Sequence, residues 1–127
     1  MKNLTKILGI AFILSMSTTY AHSADVAKGK SVFNKCKACH SLAAAKNGIG
    51  PSLAGLFGRK AGTAGNYKFS KAMQDAGGKG LVWDEKTLAD YLKKPRDYVK
   101  GTKMAFAGLN KASDLENIIA FLKDATK

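Results

Sequence analysis

Residues 36–40 read CKACH, and these five positions hold both cysteines of the chain and one of its two histidines. Cys36 and Cys39 are three positions apart, so a helical turn places both thiols on the same face. His40 follows directly on that turn. In a chain of 127 residues, the length of one domain, this cluster is the strongest constraint on the fold. The rest of the domain must pack around whatever the three side chains bind.

The first residues have the pattern of a secretory signal peptide. Two lysines flank a basic start, a short apolar run follows, and small residues come next. The apolar run falls short of the roughly 20 residues that span a bilayer, so no membrane span is expected after cleavage. We therefore predict a signal peptide at residues 1–24, cut after Ala21, Ser23 or Ala24, and a periplasmic domain at residues 25–127.

Four kinds of site could use the CKACH cluster in an exported protein. A disulfide suits an oxidising compartment, but a bridge across two residues closes a very small loop and stabilises little. A thioredoxin-like redox pair needs a preceding strand and a βαβ pattern, which are not visible. Zinc needs a fourth ligand, and no other Cys or His follows residue 24. We favour covalent haem attachment, in which Cys36 and Cys39 form thioethers and His40 binds the iron.

The second axial ligand of such an iron would decide the function. A methionine opposite the histidine gives a six-coordinate, electron-carrying iron with a raised potential. Past the signal segment only Met73 and Met104 remain. Met73 lies in SKAMQDAGG, which predicts a short helix capped by Ser70 and ended at Gly77. Met104 lies in GTKMAFAG, where small residues allow the backbone to approach a flat cofactor closely. We favour Met104.

Several separated motifs, in a fixed order, extend the pattern over nearly the whole domain. They are GKSVFNKCKACH, GPSLAGLFGRKAG, the single Trp83, TLADYLKKP, GTKMAFAGL and a last segment ending IIAFLK. With these motifs the chain resembles class I c-type cytochromes, close to cytochrome c2 and mitochondrial cytochrome c, from about Asp25 to Lys127. The resemblance implies an all-α fold in which a few helices and long loops wrap around one covalent haem c.

The resemblance also implies roles for individual residues. It implies Cys36 and Cys39 as thioether partners and His40 and Met104 as axial ligands. It further implies that the Pro51 carbonyl accepts a hydrogen bond from His40, that Arg59 and Trp83 lie near a haem propionate, and that Tyr91 and Thr102 surround the Met104 sulfur.

Two segments depart from the mitochondrial pattern. Phe69 stands where relatives often have a tyrosine bonded to a propionate, and a phenylalanine cannot donate that bond. The segment from Met73 to Gly80 is a few residues longer, with Gly77-Gly78 in the added part. These departures concern the propionate surroundings and one loop.

Helix signals in the residues agree with an all-α fold. Asp25 and Asp84 are expected N-caps, and Pro95 is expected to stop the second of these helices. Ser113-x-x-Glu116 has the form of a capping box before the last helix. A mid-helix glycine costs about 1 kcal/mol against alanine, so Gly29 needs a reason. With the support of the resemblance, we expect the first helix to cross the last one at Gly29. Buried stripes are expected from Leu88, Tyr91 and Leu92, and from Leu115, Ile118, Ile119 and Leu122.

Charge points to the partners. The whole chain carries +12 and residues 25–127 carry +10, with lysines concentrated beside CKACH and in residues 93–103. We expect this charge to steer a soluble, monomeric electron carrier onto acidic faces of larger redox proteins, such as a quinol–cytochrome c reductase, a terminal oxidase, a reaction centre or a dehydrogenase.

Nucleic acid is not expected, since no nucleic-acid motif is present. The carrier is expected not to be an enzyme. The alternative is a haem ligand sensor or weak peroxidase with a displaceable axial ligand.

Overall fold

Five α-helices joined by long loops form the part of the chain that the computed structural model describes, residues 23–127. They are α1 (Val26–Phe33), α2 (Lys71–Gly78), α3 (Glu85–Lys93), α4 (Pro95–Tyr98) and α5 (Ala112–Ala125). Within these residues no β-strand forms, and one isolated bridge pairs Lys60 with Val82. The prediction of an all-α fold is confirmed. The signal peptide expected at residues 1–24 lies almost wholly outside the described residues and stays a prediction.

Three helices begin at the residues that the sequence indicates. The Asp25 carboxylate accepts the Lys28 N–H at 3.1 Å, and the Ser70 hydroxyl accepts the Met73 N–H at 3.1 Å. Asp84 accepts the Thr87 N–H at 2.8 Å, while the Thr87 hydroxyl accepts the Asp84 N–H at 2.9 Å. The bond from the Thr87 N–H, and a second bond of 3.0 Å that the Thr87 hydroxyl donates to the Asp84 carboxylate, lower the pKa of Asp84. Each side chain satisfies an N–H group that has no partner inside its own helix.

The structure corrects two boundaries. The capping box expected at Ser113 is wrong: α5 begins earlier, because the Lys111 carbonyl already accepts the Leu115 N–H at 3.2 Å, and no side chain caps this end. Pro95 does end α3, but it also begins α4, which the sequence analysis did not predict. A proline suits a first helical position, where its missing N–H is not needed.

The first and last helices cross at Gly29, as the sequence predicts. A Cβ atom at Gly29 would lie 2.0 Å from the Asn117 carbonyl oxygen and 2.7 Å from the Phe121 Cβ, so only a glycine allows this approach. Beside the crossing, the Phe33 and Phe121 rings pack with centroids 5.2 Å apart. Ile118 is fully buried at the same contact.

The segment from Met73 to Gly80, which the sequence analysis expects to be longer than in mitochondrial relatives, lies mostly in α2 and ends in a turn at Lys79 and Gly80. The backbone of Gly77 lies against the loop at residues 60–62, and a Cβ there would be 1.9 Å from the Ala61 carbonyl oxygen. The Ala61 N–H donates to the Leu81 carbonyl at 2.9 Å just beyond the helix. Gly77 therefore holds the end of α2 against the loop that precedes the helix. No helix of residues 23–127 is long and apolar enough to cross a membrane.

We expect Gly29→Ala to destabilise the haem-loaded protein. The new methyl group meets a backbone carbonyl that cannot rotate away, and such overpacking costs about 1–3 kcal/mol, more than the helix propensity that alanine gains. For a domain of this size that is a fall in melting temperature of roughly 5–20 °C. Thermal unfolding measures it.

Gly78→Ala is the matched control, because a Cβ at this helical glycine meets nothing within 4 Å. We expect this variant to melt at or above the temperature of the unchanged protein. Equal melting temperatures for the two variants would contradict the close crossing of α1 and α5.

Candidate functional site

A cavity of about 260 Å³ lies at the centre of the fold. Its helical walls include Phe33 of α1, Leu92 of α3 and Ile118 of α5, and loops form the remainder. The lining brings together every site residue that the sequence analysis named: Cys36, Cys39, His40, Pro51, Arg59, Trp83, Tyr91, Thr102 and Met104. Their roles toward haem stay predictions, but all nine face one common space.

The CKACH residues lie in a hydrogen-bonded turn that directly follows α1. The helix ends at Phe33, earlier than the spacing to Cys36 suggests, and the chain then turns tightly. The Cys39 N–H and the His40 N–H both donate to the Cys36 carbonyl, at 3.1 and 3.0 Å. This turn holds the two half-buried cysteines and the histidine on the cavity wall.

The two thiols are not joined by a disulfide. Burial raises the pKa of the Cys36 thiol, the neighbouring Cys39 raises it further, and the positive charge of Lys35 opposes both effects. Within residues 23–127, no three His, Cys, Asp or Glu side chains are arranged to hold a metal ion.

The His40 imidazole is oriented by the loop that follows it. Its Nδ1–H donates to the Pro51 carbonyl at 2.8 Å, which leaves Nε2 as the nitrogen with a lone pair for a metal. The backbone of Gly50 lies flat against the ring, since a Cβ there would be 2.5 Å from His40 Cε1. The Gly50 N–H donates in turn to the Cys39 carbonyl at 2.8 Å. The loop at Gly50 and Pro51 therefore fixes the orientation of the imidazole, and the imidazole in turn restricts the loop.

Met104 lies on a second loop, which hydrogen bonds hold in place. Thr102, two residues before it, shares a hydrogen bond of 2.7 Å with the Tyr91 hydroxyl of α3. The Met104 N–H donates to the Thr102 hydroxyl at 3.4 Å. Burial raises the pKa of Tyr91, and its bond with Thr102 partly offsets that rise. Met73, the other methionine, also lines the cavity, but it is buried in α2 as a core residue.

The remaining predicted residues form another part of the wall. The Arg59 guanidinium donates to the Ala54 carbonyl at 3.0 Å and to the Ser52 carbonyl at 3.4 Å, and burial lowers its pKa. Trp83 is buried against Tyr91, with ring centroids 5.1 Å apart. These contacts place one cation and one large aromatic ring beside the cavity.

The sequence analysis missed Tyr67. Its ring lies edge-on to Phe69 at 4.8 Å, and its hydroxyl donates to the Ile49 carbonyl at 2.7 Å. All three residues line the cavity. In the sequence, Tyr67 is visible only as an aromatic residue two positions before Phe69 in a loop of small residues. Its hydrogen-bond partner, Ile49, lies 18 positions earlier in the chain.

The lining fits a haem by its chemistry. Most of it is apolar, which suits a flat porphyrin, and Arg59 supplies a cation for a carboxylate. Lys35 and Lys103 are also present, and none of the lining residues is Asp or Glu. The cysteines of one turn, an imidazole with an available Nε2 and a thioether complete the donor set of a c-type haem.

Gly50→Ala tests whether the backbone really supports the imidazole. The added methyl group would press on His40, so we expect a displaced ring, an altered visible spectrum of the haem-loaded protein and a lower melting temperature. Gly65→Ala is the control, because a Cβ there meets nothing within 4 Å. A Gly50→Ala variant with the spectrum and stability of the control would show that the contact is absent.

Comparisons with known proteins identify a family for this chain. A family model described as Cytochrome c matches residues 26–126. The cytochrome c2 of Afifella marina is 52% identical over 99 residues, which cover 77% of this chain and 80% of that protein. The cytochrome c of Gibberella zeae is 45% identical over 105 residues, covering 81% and 96%. The solved structure of cytochrome cH from Methylobacterium extorquens superposes with a TM-score of 0.72 at 44% identity, covering 79% of this chain and 98% of that one.

Proposed function

This chain belongs to the cytochrome c family, and we propose that it is an exported single-electron carrier with one haem c. In this proposal Cys36 and Cys39 hold the haem through thioethers, and His40 and Met104 are the axial ligands. The observation that carries the proposal is that all four residues line the same cavity. The bound haem would supply an iron that accepts and releases one electron.

The residues around the proposed axial ligands keep His40 and Met104 in place. The hydrogen bond from His40 to the Pro51 carbonyl fixes the tautomer and the rotation of the imidazole. The bond between Tyr91 and Thr102 orders the loop that carries Met104. A site in which neither ligand needs to move suits electron transfer, because little reorganisation accompanies a change of charge.

A haem enzyme or ligand sensor is the competing interpretation. It needs an open iron position, and a peroxidase also needs an acid–base group beside that position. His40 is the one histidine in residues 23–127, and the cavity lining includes no carboxylate. The lining therefore favours the carrier.

We expect Met104→Ala to lower the reduction potential by on the order of 100 mV, since the axial ligands set haem potentials within a range of roughly 0.8 V. Met73→Leu is the matched control, because it replaces the other cavity-lining methionine by a residue of similar volume. Its potential should stay close to that of the unchanged protein. Redox titration followed by absorbance measures both. The reverse order of effects would assign the ligand role to Met73.

Positive charge around the cavity supports docking onto acidic partners. Lys35 and Lys103 are exposed and line the cavity, which has no acidic residue in its lining. The exposed ion pairs of the described chain use other lysines, namely Lys71, Lys86, Lys123 and Lys127. We propose that a monomer docks by this face onto larger redox proteins. In this proposal the partner is a quinol–cytochrome c reductase, a terminal oxidase, a reaction centre or a dehydrogenase. The periplasmic location rests on the sequence of residues 1–24.

Lys35→Gln should slow electron transfer with a quinol–cytochrome c reductase a few-fold at low ionic strength, and added salt should remove the difference. Lys127→Gln removes the same charge from a lysine paired with Asp124 and outside the cavity lining, so it should have little effect. Stopped-flow kinetics across a salt series measures both. Identical rates for the two variants at low salt would contradict docking by the cavity face.

A further inference from the structure

We propose that Tyr67 is a positioning residue that ties together the two loops on either side of the cavity mouth, one supporting His40 and the other carrying Met104. The inference rests on the proposed function, because it concerns the residues assigned there as axial ligands. Tyr67 is half-buried, lines the cavity and belongs to neither loop.

The first contact reaches the histidine side. The Tyr67 hydroxyl donates to the Ile49 carbonyl at 2.7 Å. Ile49 is followed by Gly50, whose backbone lies against the imidazole. Pro51 comes next, and its carbonyl accepts the His40 Nδ1–H. The Ile49 side chain itself is 77% exposed, so its burial does little to anchor the loop. The hydroxyl of Tyr67 supplies an anchor that the side chain of Ile49 does not.

The second contact reaches the methionine side. The Lys103 ammonium lies 5.8 Å from the centroid of the Tyr67 ring, within the range of a cation–π interaction. It also donates a hydrogen bond to the carbonyl of Lys68, the residue after Tyr67. Lys103 directly precedes Met104. The Tyr67 side chain therefore contacts both loops. Its contact at Ile49 lies one residue before Gly50, whose backbone supports His40, and its contact at Lys103 lies one residue before Met104.

Two neighbours hold Tyr67 in this position. The Phe69 ring packs edge-on against it at 4.8 Å. The Asn47 side chain donates to the Gly65 carbonyl at 3.1 Å, which joins the same two stretches of chain as the bond from Tyr67 to Ile49. All these links are close to solvent, so each is weak and the tie opens and closes as an equilibrium.

The test is amide hydrogen exchange in the haem-loaded protein, measured residue by residue by NMR. Tyr67→Phe removes only the hydroxyl. Two amides report on the loops: Gly50 N–H bonds to the Cys39 carbonyl at 2.8 Å, and Thr102 N–H bonds to the Val99 carbonyl at 3.0 Å. We expect both to exchange about fivefold faster, the factor that corresponds to losing a hydrogen bond of about 1 kcal/mol. The Leu109 amide, bonded to Leu92 far from the tie, should keep its rate.

Tyr98→Phe is the matched control. It removes a hydroxyl from another surface tyrosine, 39% exposed, whose ring packs on Tyr91 with centroids 6.4 Å apart and does not contact Ile49 or Lys103 as Tyr67 does. Its exchange rates should equal those of the unchanged protein.

Faster exchange at Gly50 alone would overturn the proposal, because Tyr67 would then hold only the near loop. Unchanged rates at both amides would overturn it as well, as would an equal increase at Leu109, which indicates general loss of stability. Failure of the proposed function is separate: it is read from the potentials of Met104→Ala and Met73→Leu, which do not involve Tyr67.

Discussion

The close approach of α1 to α5 at Gly29 fixes where the CKACH turn can lie. Because no side chain separates the two backbones, α1 is held in one direction, and the turn that follows Phe33 carries the cysteines and the histidine to the cavity wall. Phe33 serves both regions, since it packs on Phe121 and also lines the cavity. The helix crossing and the functional site are therefore one connected structure.

The loops around the cavity combine buried apolar residues with polar contacts. Leu56 and Trp83, both in loops, line the cavity and are buried. Hydrogen bonds from His40 to Pro51, and between Tyr91 and Thr102, fix the loops further. A covalently held porphyrin would offer these loops a large apolar surface to pack against, which would explain why long loops are tolerated in so small a domain.

Much of this was predictable from the sequence, and the exceptions have physical reasons. The caps at Asp25, Ser70 and Asp84 follow from local patterns, and the structure confirms them. The class I cytochrome c fold and the crossing at Gly29 were expected with the support of the family resemblance, and the comparisons and the structure confirm them. The start of α5 was wrong because Ser113 matches a capping pattern that a backbone bond from Lys111 overrides. Tyr67 could not be found, because its bond to Ile49 joins loops 18 residues apart and leaves no periodic trace.

The central claim is that this chain itself fills both axial positions of its haem. The most direct test is the visible spectrum of the reduced, haem-loaded protein with and without carbon monoxide at neutral pH. The account predicts the same spectrum in both samples, because His40 and Met104 leave no position open. A clear shift on adding carbon monoxide would contradict it, and would make ligand binding or catalysis the better description of this site.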